Sequence, residues 1–500
     1  KIFFRDRMSA TSSPKASDVT TFHSDDDQKL KGRITVFSIS GCPHCRRAKN
    51  HLKKQHLPYV EINLDIYPER RSEMVEQTNR RTVPQIFFNE KHVGGADDLL
   101  GLKEDEFKSH VEYVLKNEPN EKTPDLPVLT GDDLTESNPV VACEGDKYMS
   151  IVNGMRSEQD GVEVKDRMYF LRKYSKCFVG SACVDWLVSH DHAKDRQEAV
   201  KLGNDLMDHH FFHHVTFDHP FKDENLFYRF LADQKTKALN GDGVAKCNPE
   251  NPSKVAEELR RLILALYEDF LSDDGSAVDY EGLAKSEAYK RFKLKTLELK
   301  RLNLSQMTRN EKIAFFINIY NALVIAANVE RGPPTNNWQR AKFFSTVSYV
   351  IGGHEYSLND IENGILRANR TPPYSFSLPF SKGDPRSIVA LTYPEPRIHF
   401  ALVCGAKSCP PIKTYQAKNV DEQLTAAAQS FFEGDGILID EAKGKISLSK
   451  ILDWYSVDFG KSSHDVLSWV LSFTTGEKSQ QLAKMLETKK YTLTYQKYDW

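Results

Sequence analysis

Cysteine is scarce in this chain, with eight in 500 residues. That excludes a secreted scaffold built on disulfides. Only two pairs lie close together, Cys42/Cys45 and Cys404/Cys409, which points to functional thiols in a reducing compartment. A dominant charge is missing as well. Lysine and arginine total 68 against 70 aspartates and glutamates, so no global field draws the chain to nucleic acid and every charge argument is local. No apolar run reaches the ~18 residues that cross a bilayer. The opening Lys1–Arg7 is too short for the apolar core of a signal peptide, and Met8, followed by Ser9-Ala10-Thr11-Ser12-Ser13, reads as a start.

A hydrophobic share of 40% beside 28% charged residues describes a water-soluble chain with material for about three domains. Residues 1–32 are polar, rich in Ser, Thr and Asp, and read as a disordered leader. Residues 118–142, with Glu118-Pro119-Asn120 and Gly131-Asp132-Asp133, read as a linker. So do residues 236–254, with Gly241-Asp242-Gly243 and Asn248-Pro249-Glu250-Asn251-Pro252. The folded segments are then 33–117, 143–235 and 255–500. Their patterns predict a multidomain chain of α/β and α+β parts without internal repeats.

In the first segment, Gly41-Cys42-Pro43-His44-Cys45 stands between an apolar strand, Ile34-Thr35-Val36-Phe37, and a basic helical stretch from Arg46 to Lys54. Two thiols separated by two residues close a small disulfide without large backbone movement. A cysteine at a helix N-terminus also sits where positive partial charge favours its thiolate. Downstream, Thr82-Val83-Pro84 precedes a strand, where a proline in the cis form exposes neighbouring backbone groups to a peptide-like ligand. Gly94-Gly95 permits close backbone approach, and Asp97 starts what reads as the last helix, where it can meet a ligand amine. Zinc would need two more ligands, and only His44 and His51 are near. The pair is therefore read as a redox site.

These ordered motifs closely resemble a dithiol glutaredoxin over residues 33–117. The resemblance implies a thioredoxin-like fold and glutathione as cofactor, with Cys42 as an exposed nucleophile of low pKa and Cys45 as the deeper resolving thiol. It implies that Thr82, Val83 and Pro84 hold glutathione along its backbone, with Gly95, Asp97 and Asp98 near its γ-glutamyl end. Ser38-Ile39-Ser40 stands where members usually carry a lysine, and Arg46 or Arg81 is the substitute cation for the glycyl carboxylate. Gly41 replaces an aromatic. An iron–sulfur bridge between two such domains is the minor alternative.

The second segment carries Lys176-Cys177-Phe178-Val179-Gly180-Ser181, Val184-Asp185-Trp186-Leu187 and Leu226-Phe227-Tyr228-Arg229-Phe230 in order. It resembles a DEP domain, which implies a winged-helix fold used for signalling and for placement at a membrane or receptor. Lys165, Arg167, Arg172, Lys173 and Lys176 interleave with Met168, Tyr169, Phe170 and Tyr174 on a short arm. Such a patch attracts anionic lipid at ~1 kcal/mol per basic residue; an ordinary solvated hairpin is the equal alternative. His209, His210, His213, His214 and His219 imply no ligand geometry, so no metal is expected. Gln197-Glu198-Ala199-Val200-Lys201 is not distinctly basic, so no nucleic acid is expected either.

The third segment carries Lys312-Ile313-Ala314-Phe315-Phe316-Ile317-Asn318-Ile319-Tyr320-Asn321, Arg397-Ile398-His399-Phe400, Cys404-Gly405-Ala406-Lys407-Ser408-Cys409-Pro410 and Trp454-Tyr455-Ser456. It is similar to the uncharacterised DUF547 family, a resemblance without an activity. Phe315 to Ala327 reads as a buried helix whose Asn318 and Asn321 either tie down a loop or line a cavity. Ile398 to Val403 reads as a core strand. Asn321, Glu362, His399 and Cys404 are candidate site residues, with Glu362 or Asn321 as the partner of His399, while a structural role is the heavier reading.

The function expected is a cytoplasmic, glutathione-dependent thiol-disulfide oxidoreductase acting on protein disulfides or mixed disulfides, peripheral at membranes through its DEP segment. Two alternatives stay open: a redox-sensing adaptor with little turnover, and a Cys/His hydrolase-like activity in the C-terminal segment.

Overall fold

The structure is a computed structural model that describes residues 21–22, 30–39, 42–64, 67, 70–125, 146–245, 250–270, 278–373, 375–403 and 415–498. Most of the expected leader, Gly41, Cys404 and Cys409 lie outside the described residues. The chain divides into two compact units, one N-terminal to Ala142 and one that takes in nearly all of the rest.

The first unit alternates strand and helix: β1 (Thr21–Phe22), β2 (Ile34–Ser38), α1 (Pro43–Lys54), β3 (Tyr59–Asn63), α2 (Arg70–Thr78), β4 (Gln85–Phe88), β5 (Lys91–Gly94), α3 (Ala96–Leu100) and α4 (Glu104–Lys116). The strands form one sheet in the order β1-β3-β2-β4-β5. Strand β2 runs parallel to β3, which requires the α1 crossover, and antiparallel to β4. It is buried throughout because both faces of the sheet are covered. On one face Ile34 and Val36 join Ala48 and Leu52 of α1 and Val114 of α4 in one core. On the other, Phe37 packs in a core with Ile62, Met74, Phe87 and both cysteines of the Cys42/Cys45 pair. This is a thioredoxin-like architecture. Asp97 lies in α3, not in the last helix as expected, since α4 follows after Lys103. The start of the expected first linker is tied down: the Asn89 side-chain amide donates to the Asn117 and Glu118 carbonyls at 3.1 and 3.3 Å.

The second unit opens with a winged-helix part: α5 (Met149–Met155), β6 (Lys165–Tyr169), β7 (Arg172–Val179), α6 (Gly180–Ser189), α7 (Arg196–Asp208), β8 (Phe212–His214) and β9 (Phe227–Phe230). Its sheet has the order β6-β7-β9-β8, over a core of Phe178, Leu187, Leu206, Phe212, Phe221, Tyr228 and Phe230. Gly180 is required where β7 turns into α6, because a Cβ there would stand 2.4 Å from the Lys222 carbonyl oxygen.

The remainder of this unit holds α8 (Pro252–Asp269), α9 (Tyr280–Lys285), α10 (Glu287–Thr296), α11 (Arg309–Arg331), α12 (Asn337–Thr346), the hairpin β10 (Ser348–Ile351) and β11 (His354–Ser357), and α13 (Val420–Glu433). It closes with β12 (Ile437–Asp440), β13 (Lys445–Leu448), α14 (Ile451–Trp454), α15 (Ser456–Phe459), α16 (Ser463–Leu471), α17 (Gly476–Thr488) and β14 (Thr492–Tyr495). Helix α11 starts with a Thr308/Glu311 capping box. By length and composition it is apolar enough to cross a membrane, contrary to the sequence expectation, yet 94% of its apolar window is buried inside the unit. It is a core helix. The expected strand over Ile398–Val403 is instead a 3-10 turn, Pro396–Phe400. Pro396 and the Glu395 cap, which accepts the Arg397 N–H, start a turn where the apolar pattern alone suggested extension.

The expected second linker is ordered over residues 236–245. The Asn240 side chain donates to the Thr296 and Val350 carbonyls, both at 3.0 Å, and accepts from the Val350 N–H at 2.8 Å. Lys300 Nζ donates to the Gly241 and Gly243 carbonyls at 2.9 and 2.6 Å. Ahead of it, buried Asp146 pairs with buried Arg301, whose Nε also donates to the His209 carbonyl at 3.0 Å. The winged-helix part is thus packed against the C-terminal part of the same unit.

Candidate functional site

Cys42 is the N-cap of α1 and Pro43 its first residue, where a missing N–H costs nothing. The Cys42 sulfur accepts the Cys45 N–H at 3.1 Å, and the two cysteines are joined as a disulfide with their Cα atoms 5.2 Å apart. Cys45 is fully buried and Cys42 only 6% exposed. Cys42, expected as an exposed thiol, is buried along with Cys45. Its cause is packing: the pair belongs to the core beneath Phe37 and Phe87. His44, next to it, is exposed.

Around the pair, Arg81 and Thr82 are exposed, Val83 is half-buried, and Pro84, buried, follows Val83 through a cis peptide bond. The Gln85 side chain donates to the Thr82 carbonyl at 2.9 Å and holds this segment from below. Gly94 has φ +125°, which lets the chain turn so that the Gly95 N–H donates to the Asp98 carboxylate at 2.8 Å. That bond, together with Arg80 on the same carboxylate, holds Asp98 below the usual range. Asp97 pairs with Arg47 of α1 at 3.1 Å. The unit thus presents an exposed Arg81–Thr82 segment and two arginine-paired carboxylates, Asp97 and Asp98. Those groups suit a small zwitterionic peptide, whose ammonium and carboxylate can exchange with the resident ion pairs.

Two features escaped sequence reasoning. Arg80, not among the expected residues, meets Asp98. At the position where a lysine was missed, Ser38 donates to Glu61, and Glu61 also receives Lys49 Nζ at 3.0 Å. Lys49, four residues after Cys45 and therefore on the same helix face, had a signal in that spacing.

In the C-terminal part, His399 is buried and its Nε2 lies 2.9 Å from Asp458 Oδ2. Asp458 was not among the expected residues, and it replaces Glu362 and Asn321 as the partner of His399. Arg367 contributes Nε at 2.5 Å and Nη2 at 3.0 Å to the same carboxylate, and Arg370 adds Nη1 at 2.7 Å. Burial alone would raise the Asp458 pKa, but the bonds from His399 and Arg367 outweigh it and hold the carboxyl well below its ordinary value. Glu362 is one layer away, accepting from Tyr320 Oη at 3.1 Å and Tyr455 Oη at 2.5 Å. The Tyr455 ring stacks on His399 with centroids 4.0 Å apart. Glu362 sits in a π-helical turn, Asp360–Leu366.

The two asparagines of α11 tie backbone. Asn321 donates to the Ala401 carbonyl at 3.1 Å and accepts the Val403 N–H at 2.9 Å. Asn318 does the same for Tyr415 at 2.8 and 3.2 Å. His399 and Glu362 thus lie on separate polar groups joined through the Tyr455 ring, which stacks on His399 and donates to Glu362. Asn321 braces the backbone beyond His399, and Cys404 lies outside the described residues. Near the winged helix, burial pulls His210 and His213 down to about 4, and among the described residues no group of three His, Cys, Asp or Glu could hold a metal.

Comparison with known proteins divides along the same three parts. Residues 34–93 match the family described as Glutaredoxin, residues 161–230 the Domain found in Dishevelled, Egl-10, and Pleckstrin (DEP), and residues 304–432 the Protein of unknown function, DUF547. Glutaredoxin 3 of Escherichia coli is 38% identical over 69 residues, 14% of this chain and 83% of that protein. The vacuolar membrane-associated protein IML1 of Coccidioides immitis is 31% identical over 180 residues, 34% of this chain, and the chain spans only 9% of its length. A solution structure of glutaredoxin from Brucella melitensis is 39% identical, with a TM-score of 0.16, covering 18% of this chain and 92% of that one.

Proposed function

Because the chain belongs to the glutaredoxin family through its first unit, we propose that it is a cytoplasmic, glutathione-dependent thiol-disulfide oxidoreductase placed by its DEP domain. Thiol oxidoreductase activity is what the family match supports directly; glutathione as the reductant, the residues that hold it and the address are the finer reading. The single observation that carries it is the Cys42/Cys45 disulfide at the start of α1, in the unit that also presents Thr82–Pro84, Gly95 and Asp98.

In the reduced pair, the Cys42 thiolate attacks the glutathione sulfur of a protein–glutathione mixed disulfide. The protein thiol leaves with a proton, and Cys42 carries glutathione. A second glutathione thiolate then attacks that glutathione sulfur, which releases oxidised glutathione and restores Cys42. Alternatively Cys45 attacks Cys42, releases glutathione and leaves the disulfide seen here. Gly95, Asp97 and Asp98 receive the γ-glutamyl end, Thr82, Val83 and Pro84 the backbone, and Arg80 or Arg81 a carboxylate.

The test is reduction of a glutathione mixed disulfide by the full chain. Cys42→Ser should abolish turnover, and Cys45→Ser should keep activity on glutathionylated substrates while losing intramolecular disulfide formation. Equal, negligible rates for wild type and Cys42→Ser would replace the enzyme with a redox-sensing adaptor.

A further inference from the structure

The turn after β8 meets the β10–β11 hairpin through imidazoles. The Phe217 ring lies between two of them, parallel to His213 of β8 at 4.1 Å and tilted onto His354 of β11 at 4.5 Å. His210 stands against the hairpin turn, since a Cβ on Gly353 would lie 3.5 Å from its Nδ1. Phe217 and His210 both hold left-handed backbone, with φ +61° and +54°, a strained state that packing has to maintain in residues with a Cβ. A cleft of about 470 Å³, lined by Phe217, Gln234, His354, Lys382, Asp384 and Arg386 among others, opens on this contact and gives water access to His354.

The charge around the contact has no place for another cation. Arg386 faces His354, Arg229 faces His213 and Arg301 faces His210. The carboxylates on the same elements are committed. Asp384 and Asp360 hold Arg386 at 2.8 and 3.2 Å, and Asp146 holds Arg301 and His209. Glu355 accepts the Ser348 and Thr236 hydroxyls, both at 2.7 Å. Asp218 takes His214 at 2.6 Å, with His219 at 3.9 Å. The His213 Nδ1 lies 2.8 Å from the His214 carbonyl, so that nitrogen carries the hydrogen of the neutral ring. Burial, reinforced by the arginines, pulls His210, His213 and His354 down to about 4 in this docked arrangement.

We propose that this contact is a proton-operated latch, in which protonation of His354 and His213 lifts the Phe212–Phe217 wing off the β10–β11 hairpin while the Asp146–Arg301 pair stays as the pivot. An imidazolium in the docked state faces an arginine with every nearby carboxylate already engaged, whereas in the open state water hydrates it. An imidazole in water titrates near ~6.5, so the open state binds protons first as pH falls. Docking is therefore complete above that value and weakens below it. Between pH 7 and 5, each of the two imidazoles tilts the equilibrium about twentyfold toward opening. The pivot survives this range because the bonds from Tyr148 and Arg301 outweigh burial and hold the Asp146 carboxyl below its ordinary value. The latch is independent of the thiol chemistry of the first unit.

The experiment is hydroxyl-radical footprinting of the full chain from pH 7.5 to 5.0, read by mass spectrometry. Phe376, fully exposed, is the internal reference, and Phe316 of α11, fully buried, reports loss of the C-terminal core. Oxidation of Phe217 relative to Phe376 should rise at least threefold as pH falls, with Phe316 still protected and far-UV circular dichroism unchanged. His354→Phe keeps a ring against Phe217 but takes no proton, and should move the rise at least half a pH unit lower. His354→Lys places a permanent cation there and should show raised Phe217 oxidation already at pH 7.5, with Phe316 protected. A constant Phe217 signal across the range overturns the latch. So does a rise that Phe316 follows in parallel, which is acid unfolding of the whole unit, or one that is identical in wild type and both His354 variants.

Discussion

Gly94 and Asp98 act as one device. The left-handed backbone at Gly94 directs the Gly95 N–H to Asp98, and a Cβ on Gly94 would stand 2.2 Å from that carboxylate. Gly94→Ala is therefore expected to strain the turn and displace Asp98, raising KM for glutathione about tenfold with little change in kcat, as loss of one charge-assisted hydrogen bond implies. Steady-state kinetics with varied glutathione checks it. Asp458 carries the other residue-scale expectation. Its native pKa is depressed relative to ~3.9 in an unfolded chain. As pH falls the unfolded state binds the proton first, so the stabilisation is complete at neutral pH and drains as pH drops from about 5 toward the native value. Asp458→Asn should cost about 3–5 kcal/mol at neutral pH, because buried Arg367 loses its counter-charge. Urea midpoints of the variant should then fall less steeply with acid than those of wild type; parallel pH profiles would remove the linkage.

At the scale of elements, the stretch from Thr236 to Ala245 behaves as part of the C-terminal core. Asn240 satisfies two carbonyls and one N–H of neighbouring segments, so Asn240→Ala should destabilise the second unit by about 1–3 kcal/mol in denaturant unfolding. Arg301 joins the same junction from the other side, against Asp146 and the His209 carbonyl, with its guanidinium 3.8 Å from the Phe211 ring centroid. Arg301→Leu leaves the buried Asp146 carboxylate without its guanidinium, held only by His209 Nδ1 at 3.2 Å and the Tyr148 N–H at 2.9 Å, and should cost about 3–5 kcal/mol, whereas adding Asp146→Asn should recover a measurable part of that loss. The composition of this stretch, Gly-Asp-Gly followed by two prolines, reads as a tether because turn chemistry is visible locally while its hydrogen-bond acceptors are not.

At the scale of the whole molecule, the two units have separate cores, and calorimetry of the full chain should give two transitions. Reduction with dithiothreitol should shift the one that contains Cys42 and Cys45, and Arg301→Leu the other. A single transition that responds to both would contradict independent folding. The family matches divide in the same way, with the redox module in the first unit and the signalling domain in the second.

Local chemistry was legible in the sequence by itself. The thiol turn, its helix N-terminus, the apolar strand before it, the hairpin with its interleaved cations and the buried helix with two asparagines all arise from neighbours a few residues apart, where propensity and period decide. Only the tertiary structure decided the partners. His399 meets Asp458 across 59 residues and Arg301 meets Asp146 across 155. Glu362, one of the two partners the sequence offers for His399 beside Asn321, is one ring away behind Tyr455. Such pairings depend on which elements pack together, and a buried charge takes whichever opposite charge the packed core brings within hydrogen-bond reach.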